Sequence, residues 1–156
     1  MCVHWQGPTN GMQGRIRRAN IDIPAGETED TRSDIETLFS GLPEPIDLGI
    51  DLEKQLLYWT DRGNPPFGNT LNSVDVSSDL NPSATPRQPS QDTILAWKFQ
   101  EAIGVSLNIP GESAFVSDMG GSVYTVGLKS DLDGKHEKNV LIDGLGWLTG
   151  LVHVNP

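Results

Sequence analysis

The sequence predicts an all-β repeat protein built from about three four-stranded units. Three observations predict it. Apolar and polar residues alternate over short runs, the period-2 pattern of strands with one buried face, and helical periodicity is poor throughout. The 156 residues hold 17 Gly and 11 Pro, a turn-dense composition. A four-part series of runs recurs along the chain, with its best-defined member repeated 54 residues upstream and 57 downstream.

The first run of each unit is Val3-His4-Trp5-Gln6, Leu57-Tyr58-Trp59-Thr60-Asp61 and Ala114-Phe115-Val116-Ser117-Asp118. Each joins an aromatic or His to a large apolar residue and then a small polar one. A Gly-containing turn leads to the second runs, 14–21, 69–76 and 121–128. The third are 35–39, 93–97 and 139–142, although 92–102 also admits a helix. The fourth runs are 45–52, 103–109 and 148–154. Ile46, Leu48, Ile50 and Leu52 give the cleanest alternation, and Glu53-Lys54-Gln55 turns that strand into the next. The units then span 2–42, 45–100 and 103–143, with a final inner strand at 148–154. Two loops stretch the repeat beyond the roughly 40–45 residues of an ordinary propeller blade. One is 24–32. The other, 77–91, carries Pro82, Pro86 and Pro89 and reads as a mobile insertion.

Charge and composition exclude several classes. Eleven Lys and Arg against 21 Asp and Glu give a net charge of −10, which phosphate backbones repel, so no nucleic-acid partner is expected. No apolar stretch approaches the roughly 20 residues of a membrane span. One cysteine excludes an intramolecular disulfide framework and a multi-Cys zinc site. The N-terminus has neither the basic nor the apolar region of a signal peptide, and no acceptable Asn-x-Ser/Thr site occurs, so an intracellular, cytoplasmic location is expected.

Tyr58-Trp59-Thr60-Asp61, with Ile46-Asp47-Leu48-Gly49-Ile50-Asp51-Leu52 before it, resembles the YWTD repeats of low-density-lipoprotein-receptor class B propellers. The phrases Gly14-Arg15-Ile16, Arg18-Ala19-Asn20, Ile23-Pro24-Ala25-Gly26-Glu27-Thr28, Gly41-Leu42-Pro43-Glu44-Pro45-Ile46-Asp47 and Arg62-Gly63-Asn64-Pro65-Pro66 are similar to those of intracellular fungal members, in their C-terminal half. The resemblance implies about three blades of a six-bladed propeller, a half-propeller closed by dimerisation. Two copies paired head to tail, each lending its last strand to the other's first blade, would complete the ring. A truncated chain or a separate protein carrying the other blades are the alternatives. His4 stands where the motif has Tyr, and the motif's Asp is lost near Gln6, so the first blade's edge should be weaker.

Tyr58, Trp59, Asp61, Phe115 and Asp118 read as structural, with aromatics filling the wedge between sheets and the carboxylates accepting N–H bonds at strand ends. The loops that lead into the inner strands would line a central depression. There Glu44, Asp47, Glu101, Trp147 and Thr149 are the ligand-binding candidates, the alternative being solvated loop residues with Trp147 as a packing plug. No metal-ligand spacing is present, and no Gly-x-Ser-x-Gly. Asp131-Leu132-Asp133-Gly134 reads as a turn with an exposed His136 beyond it, and Met119-Gly120-Gly121-Ser122 as a hairpin turn. Arg15-Ile16-Arg17-Arg18 reads as a solvated edge, and His153 as a residue facing the channel.

The resemblance leaves three function classes. The first is a non-catalytic protein-interaction scaffold. The second is a small-molecule-binding protein of fungal specialised metabolism, whose catalytic form is a cofactor-free pericyclase of the hetero-Diels–Alder kind. The third, a metal-dependent lactonase-type propeller, lacks Asn at the loops leading into the inner strands. The second is favoured, with a small molecule or a protein as partner, no cofactor and no metal. Whether the chain is an enzyme stays open.

Overall fold

The computed structural model describes the backbone of residues 2–5 and the whole of residues 7–154. Eleven strands among them form three antiparallel sheets. Strands β1 (Cys2–Trp5), β2 (Gly14–Arg18) and β3 (Glu36–Leu42) make the first, in that order. Strands β4 (Pro45–Asp51), β5 (Leu56–Asp61), β6 (Thr70–Asp75) and β7 (Ile94–Trp97) make the second. Strands β8 (Ala102–Asn108), β9 (Ser113–Asp118), β10 (Val123–Ser130) and β11 (His136–Ile142) make the third. The chain is therefore all-β, with blades of consecutive strands as in half of a propeller. No α-helix occurs among the described residues. A single 3-10 turn at Gln91–Thr93 precedes β7, where a helix was the alternative.

The second and third blades repeat each other residue by residue. Pro45 faces Asp61 across the β4–β5 hairpin as Ala102 faces Asp118 across β8–β9. Asp51 ends β4 and its Oδ1 accepts the Glu53 and Lys54 N–H groups, and Asn108 ends β8 and accepts from Gly111. Gln55 and Glu112 close the two turns with positive φ, 54° and 48°. A short polar side chain capping a turn that ends in a left-handed residue is what a tight connection requires.

Two apolar cores lie between blades. Ile16, Leu38, Phe39 and Leu42 of the first blade meet Leu57, Trp59 and Val76 of the second. Leu71, Ala96 and Phe99 of the second meet Val105, Ala114, Val116, Tyr124 and Val126 of the third. Alternation along β5 sends Leu57, Trp59 and Asp61 toward the first blade and Thr60 toward the third, where its hydroxyl donates to the Ile103 carbonyl at 2.6 Å. Trp59 leans on Phe39 with ring centroids 5.0 Å apart. The motif aromatic thus fills the wedge.

Four expectations need correction. The 77–91 insertion is tied down rather than loose. Arg87 pairs with Phe39 in a parallel bridge, exchanging backbone bonds with Leu38 and Ser40 of β3. Arg18 is not a solvated edge residue: its guanidinium meets Glu36 at 2.7 Å and donates to the carbonyls of Val76 and Asp79. The apolar row of β4 runs out into solvent, with Ile50 42% and Leu52 78% exposed. The reason is that the first blade has no inner strand among the described residues to cover them. Residues 148–154 form no strand, and no ladder pairs them with any strand among the described residues. The segment instead crosses the open face of the third blade. Leu145 donates to the Gly121 carbonyl, His153 N–H donates to Ser106 Oγ, and the His153 ring stacks on Phe115. The side chains of Cys2 and His4, and all of Gln6, lie outside the described residues, so the weaker first blade expected there has no structural counterpart to report.

Candidate functional site

The loops that lead into β4 and β8 lie at one end of the blades, fastened by the motif aspartates. Asp61 accepts from the Glu44 N–H at 3.0 and 3.1 Å and from the Gly63 N–H at 2.9 Å. Asp118 accepts from Gln100 at 2.9 Å and from Ser122 at 3.1 Å. Both are fully buried. Burial raises the Asp61 carboxyl to about 7; the two N–H groups oppose that shift and the neighbouring Glu44 carboxylate adds to it.

The structure divides the five ligand-binding candidates. Glu44 is 2% exposed and holds Arg62 at 2.7 Å. Asp47 joins the blades, its Oδ2 accepting the Val105 N–H at 2.9 Å while its own N–H donates to Thr60 Oγ1. These two carboxylates are spent on the framework. Glu101, Trp147 and Thr149 stay on the surface. Glu101 is set by its positive φ of 59° and by its N–H to Asn69 Oδ1, and Trp147 is 84% exposed rather than a packing plug.

A second candidate site lies elsewhere, on the outer seam between the second and third blades. A cavity of about 420 Å3 opens between β7 and β11, with Ile94, Leu95, Ala96 and Trp97 on one side and Lys135, His136 and Lys138 on the other. A second cavity of about 380 Å3 shares Ile94, Trp97 and Lys98 with it and reaches Pro65, Pro66 and Phe99. Lys138 is the clasp of this seam. Its ammonium donates to the carbonyls of Trp97 at 2.8 Å and Lys98 at 3.2 Å, and sits 4.5 Å over the Phe99 ring and 4.9 Å over Tyr124. Partial burial lowers its pKa, with Lys98 pushing the same way and Asp118 opposing. His136 is half-buried rather than exposed. Its Nδ1 lies 2.8 Å from the Gly127 carbonyl, which can only accept, so Nδ1 carries the proton and Nε2 is left for another partner. Sequence reasoning missed this site because its two sides lie some forty residues apart, on outer strands whose facing depends on how the blades stack. The one available signal was the clustering of lysine after residue 97 in an acidic chain.

The described residues contain no group of three or more His, Cys, Asp or Glu able to hold a metal ion. No helix among them is long and apolar enough to cross a membrane.

Comparison with known proteins agrees with the fold. No protein-family model matches the chain. A Pyricularia oryzae protein named low-density lipoprotein receptor-related protein 1 is 40% identical over 157 residues, taking in 97% of this chain and 47% of that protein. A Cochliobolus heterostrophus protein named 3-hydroxyacyl-CoA dehydrogenase-like protein LAM1 is 46% identical over 126 residues, taking in 78% of this chain and 26% of that protein. The chain therefore spans half or less of the length of each relative. The Tyr-Trp-Thr-Asp strand at the heart of an interblade core, the repeated blades and the first of these relatives together assign the chain to the YWTD-type, low-density-lipoprotein-receptor-like β-propeller proteins.

Proposed function

We propose that this chain is a small-molecule-binding β-propeller module of a fungal protein in specialised metabolism. One observation carries the reading: the seam cavity of about 420 Å3, lined by the apolar residues of β7 together with Lys98, Lys135, His136 and Lys138, falls in the usual range for ligand sites. Two fungal relatives are in keeping with the setting. The catalytic form of the reading is a cofactor-free cyclase of the hetero-Diels–Alder kind, which needs only a shaped pocket and placed hydrogen-bond donors. The test is a thermal-shift screen of polyketide- and terpene-like molecules against the chain and its Ile94→Glu variant. A ligand at a hundred times its Kd stabilises by about 2.7 kcal/mol, or several degrees in Tm. Hits that shift the parent and not the variant support the reading. A screen with no such hit counts against it.

A second reading is an interaction scaffold, favoured by the exposed apolar residues Leu141, Ile142, Trp147 and Val152 on and beside the third blade. Closure by a second copy is the form it would take for the isolated chain. Light scattering across a concentration series tests it: a particle of twice 16.9 kDa supports it, and a monomer at every concentration removes it.

A further inference from the structure

We infer that the outer seam between the second and third blades takes a small organic anion with an aromatic or otherwise apolar body. The inference deepens the small-molecule reading and rests on it.

Three of the chain's five lysines, Lys98, Lys135 and Lys138, line the larger cavity. The surrounding protein carries a net charge of −10, yet neither cavity is lined by a single Asp or Glu. A cationic pocket in an acidic chain is the reverse of what random surface placement gives. Lys138 is committed to two backbone carbonyls and two rings, so it contributes charge rather than a free donor. Lys98 and Lys135 are exposed and flank the opening. Lys98 is held there by a left-handed backbone at φ 63° and Lys135 by its N–H to Asp131 Oδ1 in the β10–β11 turn. An ammonium on a fixed backbone position loses less freedom when it meets an anion. The apolar half comes from β7. Trp97 is 53% exposed, although its neighbour Ala96 is 4% exposed, and Trp97 borders both cavities. A half-exposed indole beside two free ammonium groups suits a flat apolar body with one acidic group.

The seam between the first two blades gives the contrast. There the 77–91 insertion lies against β3 through Arg87, and a polar cavity of about 490 Å3 includes Asp75 and Asp92 in its lining. The second seam has no such insertion, because β10 passes to β11 through a short turn. Its cavity stays open, and the ionisable side chains lining it are all lysines and His136.

The experiment compares two fluorescent probes on the whole chain: 1-anilinonaphthalene-8-sulfonate, which is anionic, and N-phenyl-1-naphthylamine, its neutral counterpart. Each is titrated against the parent, a Lys98→Gln/Lys135→Gln variant and a Trp97→Gln variant, with thermal melts confirming that all three fold. The expected result is saturable binding of the sulfonate at one site. The lysine variant should weaken it by about tenfold or more while leaving the neutral probe unchanged, and the Trp97 variant should weaken both. Equal sulfonate affinity in parent and lysine variant overturns the inference. Saturable binding of the neutral probe alone, lost in the Trp97 variant, overturns the anion and leaves the cavity reading standing. Binding that the Trp97 variant does not change, or no saturable binding of either probe, overturns both.

Discussion

Asp61 is the residue on which the loop before β4 hangs, and burial lifts its carboxyl to about 7. A carboxyl more basic in the folded chain than in the unfolded one binds its proton more tightly when folded. Its contribution to stability is therefore whole below the unfolded value of about 4 and is lost as pH rises toward 7. Asp34 works in the opposite sense. The Arg32 guanidinium holds it down to about 2, so its contribution is present above about 4 and is lost as pH falls toward 2. Urea unfolding followed across pH 3–8 should show stability declining on the neutral side of about pH 4, and Asp61→Asn should flatten that decline. Trp59 gives a second residue-scale prediction. Its indole is 1% exposed, and its Nε1 has no acceptor among the described residues. Trp59→Ala should cost about 3–5 kcal/mol in urea unfolding. Trp59→Phe should cost well under half of that, because it keeps most of the ring and removes a buried unpaired N–H.

At the scale of the element, loops and outer strands are held by single cations. Arg18 on β2 joins Glu36 on β3 to the carbonyls of Val76 and Asp79, while Glu36 also accepts the Asn81 N–H. This ion pair is almost fully enclosed, so removing one partner strands the other charge. Arg18→Ala should cost about 3–5 kcal/mol, and limited proteolysis should then cut within 77–91 faster than it does in the parent. Lys138 does the same work at the other seam. Lys138→Met keeps the apolar stem and deletes the ammonium bonds, so amide exchange in β7 and β11 should accelerate while that in β4 and β5 stays slow.

For the molecule as a whole, each blade packs chiefly on the next among the described residues, so stability is a chain of interface terms. β1 packs on β4 as β5 packs on β8. Phe39 belongs to the core between blades 1 and 2, and Val116 to the core between blades 2 and 3. Phe39→Ala should loosen β2 and β3 and spare the third blade. Val116→Ala should loosen β8–β11 and spare the first. Mass-spectrometric hydrogen exchange distinguishes this graded response from uniform loss of protection.

How much of this was legible beforehand depended on the range of the interaction. The alternation of β4, the turn residues before β5 and β9, and the recurrence of the motif at an interval of 57 residues are local facts. They determined by themselves that the chain is all-β and built from repeated blades of short strands. What only the tertiary structure decided is which polar groups are already taken. Glu44 and Asp47 look free in the sequence and are bound by Arg62 and by the Val105 N–H. The 77–91 segment has a loop's composition and is held by Arg18 and β3. Lys98 and Lys135 lie in different blades and meet at one cavity. The physical reason is that a strand's periodicity records only which side is buried. The partner of a charge, and the hollow between two sheets, depend on how one blade stacks upon the next.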